Sequence, residues 1–155
     1  MKNIIFFMLL LFSNTVYSQL NDEFADGDFS SNPNWTGSNS GADFSIINNR
    51  LRSNSNTASS SFYLSTANNL TMNVKWEFWV NIQFNPSGSN YVDVYLISDK
   101  ADLKNPAING YFVRIGGTDD EDNLWLACRL CNNAKRIQIE AFDPEDGLVV
   151  TLFNP

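Results

Sequence analysis

Short blocks of alternating hydrophobic and polar residues recur along the chain, and clusters of Asn, Ser, Gly, Pro and Asp separate them. Such alternation places successive side chains on opposite faces of a strand, and no long stretch has the 3.6-residue period of an amphipathic helix. The pattern therefore predicts an all-β protein. The predicted strands are 43–47, 50–53, 60–65, 73–84, 91–98, 110–115, 124–130 and 135–140, with a further short one near Glu23 and Phe24.

Polar turn sequences connect these strands. The Asn48-Asn49 pair predicts a tight hairpin loop, 85–90 a longer turn, and Asn132-Asn133 another turn. The Ser- and Asn-rich stretch 53–61 lies close between strands, so we interpret it as a polar loop within one domain and not as a linker.

The strand at 76–84 alternates most clearly. One face is apolar, and the other carries polar groups around a lone tryptophan. The apolar face comprises Trp76, Phe78, Val80, Ile82 and Phe84, and the polar face comprises Glu77, Trp79, Asn81 and Gln83. We expect the strand at 91–98 to pair with it, because Val92, Val94 and Leu96 repeat its apolar face and Tyr91, Asp93 and Tyr95 its polar face.

Strands 110–115 and 124–130 extend this outer surface, the first exposing Arg114 beside Phe112 and the second Trp125 and Arg129. Aromatic rings stack on sugar rings, and carboxylate, amide and guanidinium groups bind hydroxyls, so the surface predicts a carbohydrate-binding site. The predicted stacking platforms are Trp79, Tyr91, Tyr95 and Trp125, and their predicted polar partners are Glu77, Asn81, Asp93 and Arg114. The alternative is that loops or a neighbouring domain cover these rings, or that they only strengthen strand pairing.

The first 18 residues have the pattern of a signal peptide, with Lys2 before an apolar run that ends at Phe12. That run is shorter than the roughly 20 residues that span a bilayer. We expect residues 19–155 to be one secreted or cell-surface domain without a membrane-inserted segment. The net charge of −7 argues against nucleic acid as a partner, and the absence of histidine removes the commonest general base.

A series of motifs carries a family resemblance. It begins with Asp26-Gly27-Asp28-Phe29 and 32–37, continues through 63–66, 76–80 and 84–87, and ends with 110–120. In this order they resemble the amino-terminal concanavalin A-like (laminin G-like) domain of secreted bacterial surface proteins, which often also have a lamin-tail domain. The resemblance implies an antiparallel jelly-roll β-sandwich without established catalytic residues. Relatives continue beyond the equivalent of 146–147 with more strands, so we expect this sandwich to lack its last strands.

Two other features bear on chemistry. The pair Cys128 and Cys131 has too few companion ligands for zinc, which leaves a buried, incidental Cys128 with an exposed Cys131, or a local disulfide if a turn begins near Leu130. Acidic clusters at 22–28 and 119–122 could supply oxygen ligands to calcium. By analogy with other jelly rolls, we expect Asp26 and Asp28 to be the first ligands of a structural calcium; no other cofactor is expected.

Three functions remain open. The first is a non-catalytic module that binds glycans, and the second is a structural spacer in a larger surface protein. The third, which has the weakest support, is a glycoside hydrolase with Glu77 and Asp93 as a cross-strand carboxylate pair. Because no serine or cysteine has a histidine beside it, we expect the protein not to be an enzyme and to have no catalytic residues.

Overall fold

The computed structural model describes residues 20–53, 55–70, 73–85, 87–116, 124–129, 138–142 and 148–154. For residues 124–126, 138–142 and 148–154 it describes the backbone of the strands and not the side chains. These residues form strands with a single short 3-10 helix at Ser38–Gly41. The strands are β1 (Thr36–Gly37), β2 (Phe44–Ile47), β3 (Arg50–Ser53), β4 (Leu64–Ser65), β5 (Val74–Val80), β6 (Val92–Ser98), β7 (Gly110–Ile115), β8 (Leu124–Arg129), β9 (Gln138–Phe142) and β10 (Leu148–Asn154). The predicted all-β class is confirmed, whereas these sheets do not by themselves define a jelly roll. No helix in the described ranges is long and apolar enough to cross a membrane.

The strands form small antiparallel sheets. Among the described residues, two sheets have three strands each, in the orders β5-β10-β9 and β6-β7-β8, and β1 with β4 and β2 with β3 form separate two-stranded sheets. The predicted pairing of 73–84 with 91–98 is wrong, because β5 pairs with β10, from Val80 opposite Leu148 to Val74 opposite Asn154. β10 is not among the predicted strands, although its run of Leu, Val, Thr and Phe favours a strand.

The hairpin at Asn48-Asn49 is confirmed. Ile47 pairs with Arg50, and the two asparagines have φ values of 52° and 58°. A two-residue hairpin loop with positive φ at both positions matches the twist of its strands, and asparagine adopts that conformation more readily than most residues. The hairpin register therefore follows directly from the local sequence.

The short strand predicted near Glu23 and Phe24 is wrong. Phe24 has a φ of 53°, and its carbonyl accepts a hydrogen bond of 3.2 Å from the backbone N–H of Gly27. This is turn geometry, which the Asp and Gly residues that follow favour. Further along the chain, β4 keeps only the end of the strand predicted at 60–65, and β5 ends at Val80, before the predicted end at residue 84. The Asn132-Asn133 turn and the start of the strand predicted at 135–140 lie outside the described residues.

The core lies between the two three-stranded sheets. Val113, Ile115 and Leu96 form a buried cluster, with Val113 fully buried. The partly buried side chains packed against this cluster are Trp76, Phe78, Val80, Ile82 and Val94. The apolar face of β5 therefore packs on that of β6 and β7, as the alternation predicts. The polar face of β5 and the polar face of β6 and β7 consequently point in opposite directions.

Candidate functional site

An ion pair links β6 to β7 on the outer side of their sheet. Asp93 and Arg114 are register partners, and Arg114 donates from Nε to Oδ1 and from Nη2 to Oδ2 of Asp93, both at 2.6 Å. The side chains are 17% and 23% exposed, so water screens the pair less than an ordinary surface salt bridge. The hydrogen bonds to Asp93 raise the pKa of Arg114 above its ordinary value.

Two aromatic rings lie close to this guanidinium, and a third stacks on one of them. It lies 3.9 Å from the ring centroid of Tyr91 and 5.5 Å from that of Phe112. Tyr95 stacks on Phe112 with a centroid distance of 4.9 Å. We call these five residues, Tyr91, Asp93, Tyr95, Phe112 and Arg114, the Arg114 cluster. It combines a fixed cation with aromatic surface on one side of one sheet.

Exposure differs between the rings of the Arg114 cluster. Tyr91 is 42% exposed, whereas Phe112 is buried. The expectation that Phe112 is exposed beside Arg114 is therefore wrong, since Tyr95 stacks on its ring and Arg114 lies near it. Burial, opposed by the positive charge of Arg129, raises the pKa of the Tyr95 hydroxyl. On β8, Trp125 is the register partner of Arg114. The side chain of Trp125, a predicted stacking platform, lies outside the part of the chain that the structure describes.

The other predicted glycan-binding residues lie on or just after β5, in the opposite sheet. Glu77 forms an exposed ion pair of 2.5 Å with Lys75. Trp79 is 38% exposed, and the guanidinium of Arg50 lies 4.3 Å from its ring centroid. Asn81 follows the strand and is exposed. The eight predicted residues therefore do not form one surface. The suggested hydrolase pair of Glu77 with Asp93 is also wrong, because β5 and β6 are not neighbours in one sheet.

Asp26 and Asp28, the predicted calcium ligands, stabilise a local turn. Asp28 accepts hydrogen bonds from the backbone N–H and the hydroxyl of Ser30, both at 2.7 Å, and from the hydroxyl of Ser31 at 2.5 Å. These bonds, with that from Ser31 the strongest, lower its pKa to about 2. Asp26 accepts a hydrogen bond of 3.1 Å from the backbone N–H of Asp28. In the described part of the chain, no three His, Cys, Asp or Glu side chains come together in a group that could hold a metal ion.

Cys128 lies near the end of β8, is exposed and is disulfide-bonded. The interpretation of a buried, incidental Cys128 is therefore wrong, and the alternative of a disulfide is the one observed. Cys131 and the turn expected near Leu130 lie outside the described residues. A disulfide sulfur is not a thiolate, so Cys128 in this state does not supply the ligand that a soft metal would require.

A wide concave space of about 2770 Å³ runs beside β4, β5 and β6. Its lining extends from the Ser-rich loop at 59–61 to Tyr91 and Tyr95. Pockets for small ligands have volumes of roughly 300–1,000 Å³. The space is therefore too large to indicate a small-molecule site.

Comparison with known families gives one match. Residues 112–137 match the family described as HNH endonuclease, from Phe112 in β7 through β8. The match spans 26 of the 155 residues, counted from 112 to 137 inclusive. No curated protein and no solved structure matches the chain.

The HNH endonuclease match overturns four expectations from the sequence. It points to a nuclease-type domain, not to the concanavalin A-like, laminin G-like domain found with lamin tails. It points to cleavage of nucleic acid, which conflicts with the expected non-catalytic module for glycan binding. The chain was expected not to be an enzyme and to have no nucleic-acid partner, and the match contradicts both expectations.

The signal for this match was present in the sequence. An acidic run at 119–122, Asn123, a strand and the Cys128–Cys131 spacing follow one another within the matched segment. Taken separately, the carboxylates indicate a cation site and the cysteines a disulfide or a buried thiol, and the overall acidity argues against nucleic acid as a partner.

Proposed function

We propose that the protein acts on nucleic acid as an HNH-type endonuclease through residues 112–137. The family match is the observation that carries this proposal. The formal charge of the segment supports it. Its four basic residues, Arg114, Arg129, Lys135 and Arg136, equal in number the four carboxylates of 119–122, although Arg114 is paired with Asp93 and the whole chain has a net charge of −7. The matched segment is therefore less repulsive to phosphate than the rest of the chain.

The chemistry of the segment departs from the family name in one respect. The letter H in that name is the code for histidine, and the chain contains no histidine. Histidine is the commonest general base and a frequent metal ligand, so a metal held by histidine does not fit this chain. Asp93 and Cys128 do not fit a metal site either. Arg114 binds both carboxylate oxygens of Asp93, and Cys128 is disulfide-bonded.

Carboxylates are the remaining class of donor for a divalent cation, which endonucleases of this family usually use. The matched segment has four of them in Asp119, Asp120, Glu121 and Asp122, which lie outside the described residues. Hard cations such as Mg²⁺ and Ca²⁺ bind oxygen ligands, so these carboxylates are the donors to test first. The calcium expected at Asp26 and Asp28 is a separate proposal, which their turn hydrogen bonds make weaker.

A cleavage assay tests the proposed function. The purified chain is incubated with supercoiled plasmid and, in parallel, with circular single-stranded DNA, each in Mg²⁺ or Mn²⁺ and in chelator, and the nicked and linear products are measured. We expect cleavage that requires the metal and is reduced at least about tenfold in Asp120→Asn, since removing an electrostatic or proton-transfer group typically costs about 10²–10³-fold. Asp26→Asn is the matched control, because it makes the same change in the N-terminal turn.

Two results would contradict the endonuclease proposal. One is a folded wild-type protein that gives no more product than a mock purification. The other is cleavage that persists unchanged when all four carboxylates of 119–122 are replaced by amides, which would identify a contaminating nuclease.

Export of the protein and its jelly-roll architecture are two further proposals. The signal-peptide pattern at 1–18 supports export of 19–155 as one domain, and the disulfide at Cys128 suits an oxidising compartment. Packing of β5 against β6 and β7 supports a sandwich of the jelly-roll kind. N-terminal sequencing of the secreted protein tests the first proposal, with Gln19 as the expected first residue.

A further inference from the structure

We infer that the Arg114 cluster is a stacking site for the bases of single-stranded nucleic acid. This inference rests on the proposed function, because the HNH endonuclease match supplies nucleic acid as the class of partner. It adds the form of the substrate and the residues that hold it. Phe112 and Arg114 belong both to the Arg114 cluster and to the matched segment.

The exposed ring of the cluster is held in place before any ligand binds. Asp93 fixes the guanidinium of Arg114 with two hydrogen bonds, and the guanidinium lies 3.9 Å from the ring centroid of Tyr91. Arg114 thus covers one side of the ring, while Tyr91 remains 42% exposed. A ring that is already ordered loses little conformational freedom when a base stacks on it. Such stacking is available to every base, since every base has a π-face.

The geometry favours single strands over duplexes. In a duplex the faces of the bases are stacked on each other, and a protein reaches only their edges from the grooves. Arginine recognises those edges with a free guanidinium fork, but Nε and Nη2 of Arg114 are engaged by Asp93. The Arg114 cluster therefore offers ring surface for unstacked bases and no free guanidinium fork for a groove.

The charge of the cluster predicts an unusual dependence on salt. Asp93 neutralises Arg114, so that pair releases no counterions from phosphates, and the chain as a whole has a net charge of −7. Binding that depends on phosphate contacts weakens steeply as salt rises. Binding by stacking, against the repulsion of an acidic protein, stays level or strengthens as salt screens that repulsion.

The test is fluorescence anisotropy with the full chain and a labelled oligothymidine of about 20 nucleotides, longer than one such site covers. The same oligonucleotide in duplex form is measured in parallel. Tyr91→Ala should weaken binding of the single strand by about five- to one-hundredfold, and Tyr91→Phe, which keeps the ring, should stay within about twofold of wild type. Trp79→Ala, which removes an exposed ring from the opposite face, is the control and should also stay within about twofold.

Several results would overturn the stacking site: no binding by the wild type, tighter binding of the duplex, no effect of Tyr91→Ala, or an equal loss in Trp79→Ala. A steep loss of wild-type affinity between about 50 and 200 mM salt would also overturn it, and this measurement needs no variant to fold. Cleavage of the plasmid or of circular single-stranded DNA separates the two proposals. Cleavage without Tyr91-dependent binding refutes the stacking site alone, whereas Tyr91-dependent binding without cleavage refutes the endonuclease alone.

Discussion

The outer faces of the two three-stranded sheets carry the same kinds of side chain and arrange them differently. On β5, Glu77 and Lys75 form an ion pair with both side chains more than half exposed, and Trp79 has one guanidinium beside it. On β6 and β7, Asp93 and Arg114 form a bidentate pair that is less than a quarter exposed and lies among aromatic rings. Similar composition therefore gives an ordinary solvated surface in one place and an ordered cluster in the other.

The difference comes from strand pairing. Asp93 and Arg114 face each other across neighbouring strands, so their side chains meet with little loss of freedom. Lys75 and Glu77 lie two positions apart on one strand, where both side chains extend into water. Alternation assigns a side chain to a face, but only the neighbouring strand decides what it meets there.

Among variants that test this difference between the two faces, Arg114→Ala is expected to change the free energy of unfolding most. It leaves Asp93 without its partner at a site only 17% exposed, and we expect the free energy of unfolding to fall by about 2–3 kcal/mol, somewhat less than for a fully buried pair. Urea denaturation followed by fluorescence measures this change. The double variant with Asp93→Ala should recover part of the loss, and strictly additive losses would show that the two residues are not coupled.

A smaller effect is expected from Trp79→Ala on the opposite face. The ring is partly exposed and its partner Arg50 lies 4.3 Å away, so we expect a loss of about 1 kcal/mol in the same denaturation experiment. Trp79→Phe keeps an aromatic ring and serves as the matched control. A loss as large as that of Arg114→Ala would contradict the distinction between the two faces.

The smallest effect is expected from Glu77→Gln. Its ion pair with Lys75 is exposed on both sides, and such pairs contribute about 0–1 kcal/mol, so the change in unfolding free energy should be below about 0.5 kcal/mol. Repeating the denaturation at high salt should remove even that difference. A loss above 1 kcal/mol that persists at high salt would show that this pair is more than a surface contact.

Local sequence predicted much of the fold. It gave the all-β class, the Asn48-Asn49 hairpin and the apolar faces that form the core, because each depends on residues close in the chain. It did not give the partner of β5, since the register of Val80 with Leu148 depends on residues far apart in the sequence. The turn at Phe24 was missed for a local reason, the positive φ of a bulky residue.

The candidate site was predicted in part. Tyr91, Asp93, Tyr95 and Arg114 were expected on one outer face and are found together there. Aromatic and polar side chains suit sugars as well as other ligands, so their presence alone does not identify the ligand. The net charge of the whole chain also differs from the charge of residues 112–137, where basic and acidic residues are equal in number. Burial of Phe112 beneath Tyr95 could not be predicted from alternation alone, since it depends on ring packing across strands.

The central place of β10 in its sheet has a consequence for how the protein is made. β5 and β9 do not pair with each other but both with β10, so among the described strands neither has a neighbour in that sheet until residues 148–154 have been synthesised. A chain emerging from the ribosome thus carries β5 with its edges open for the time needed to add the residues between them. We expect this sheet to assemble only after residues 148–154 have left the ribosome.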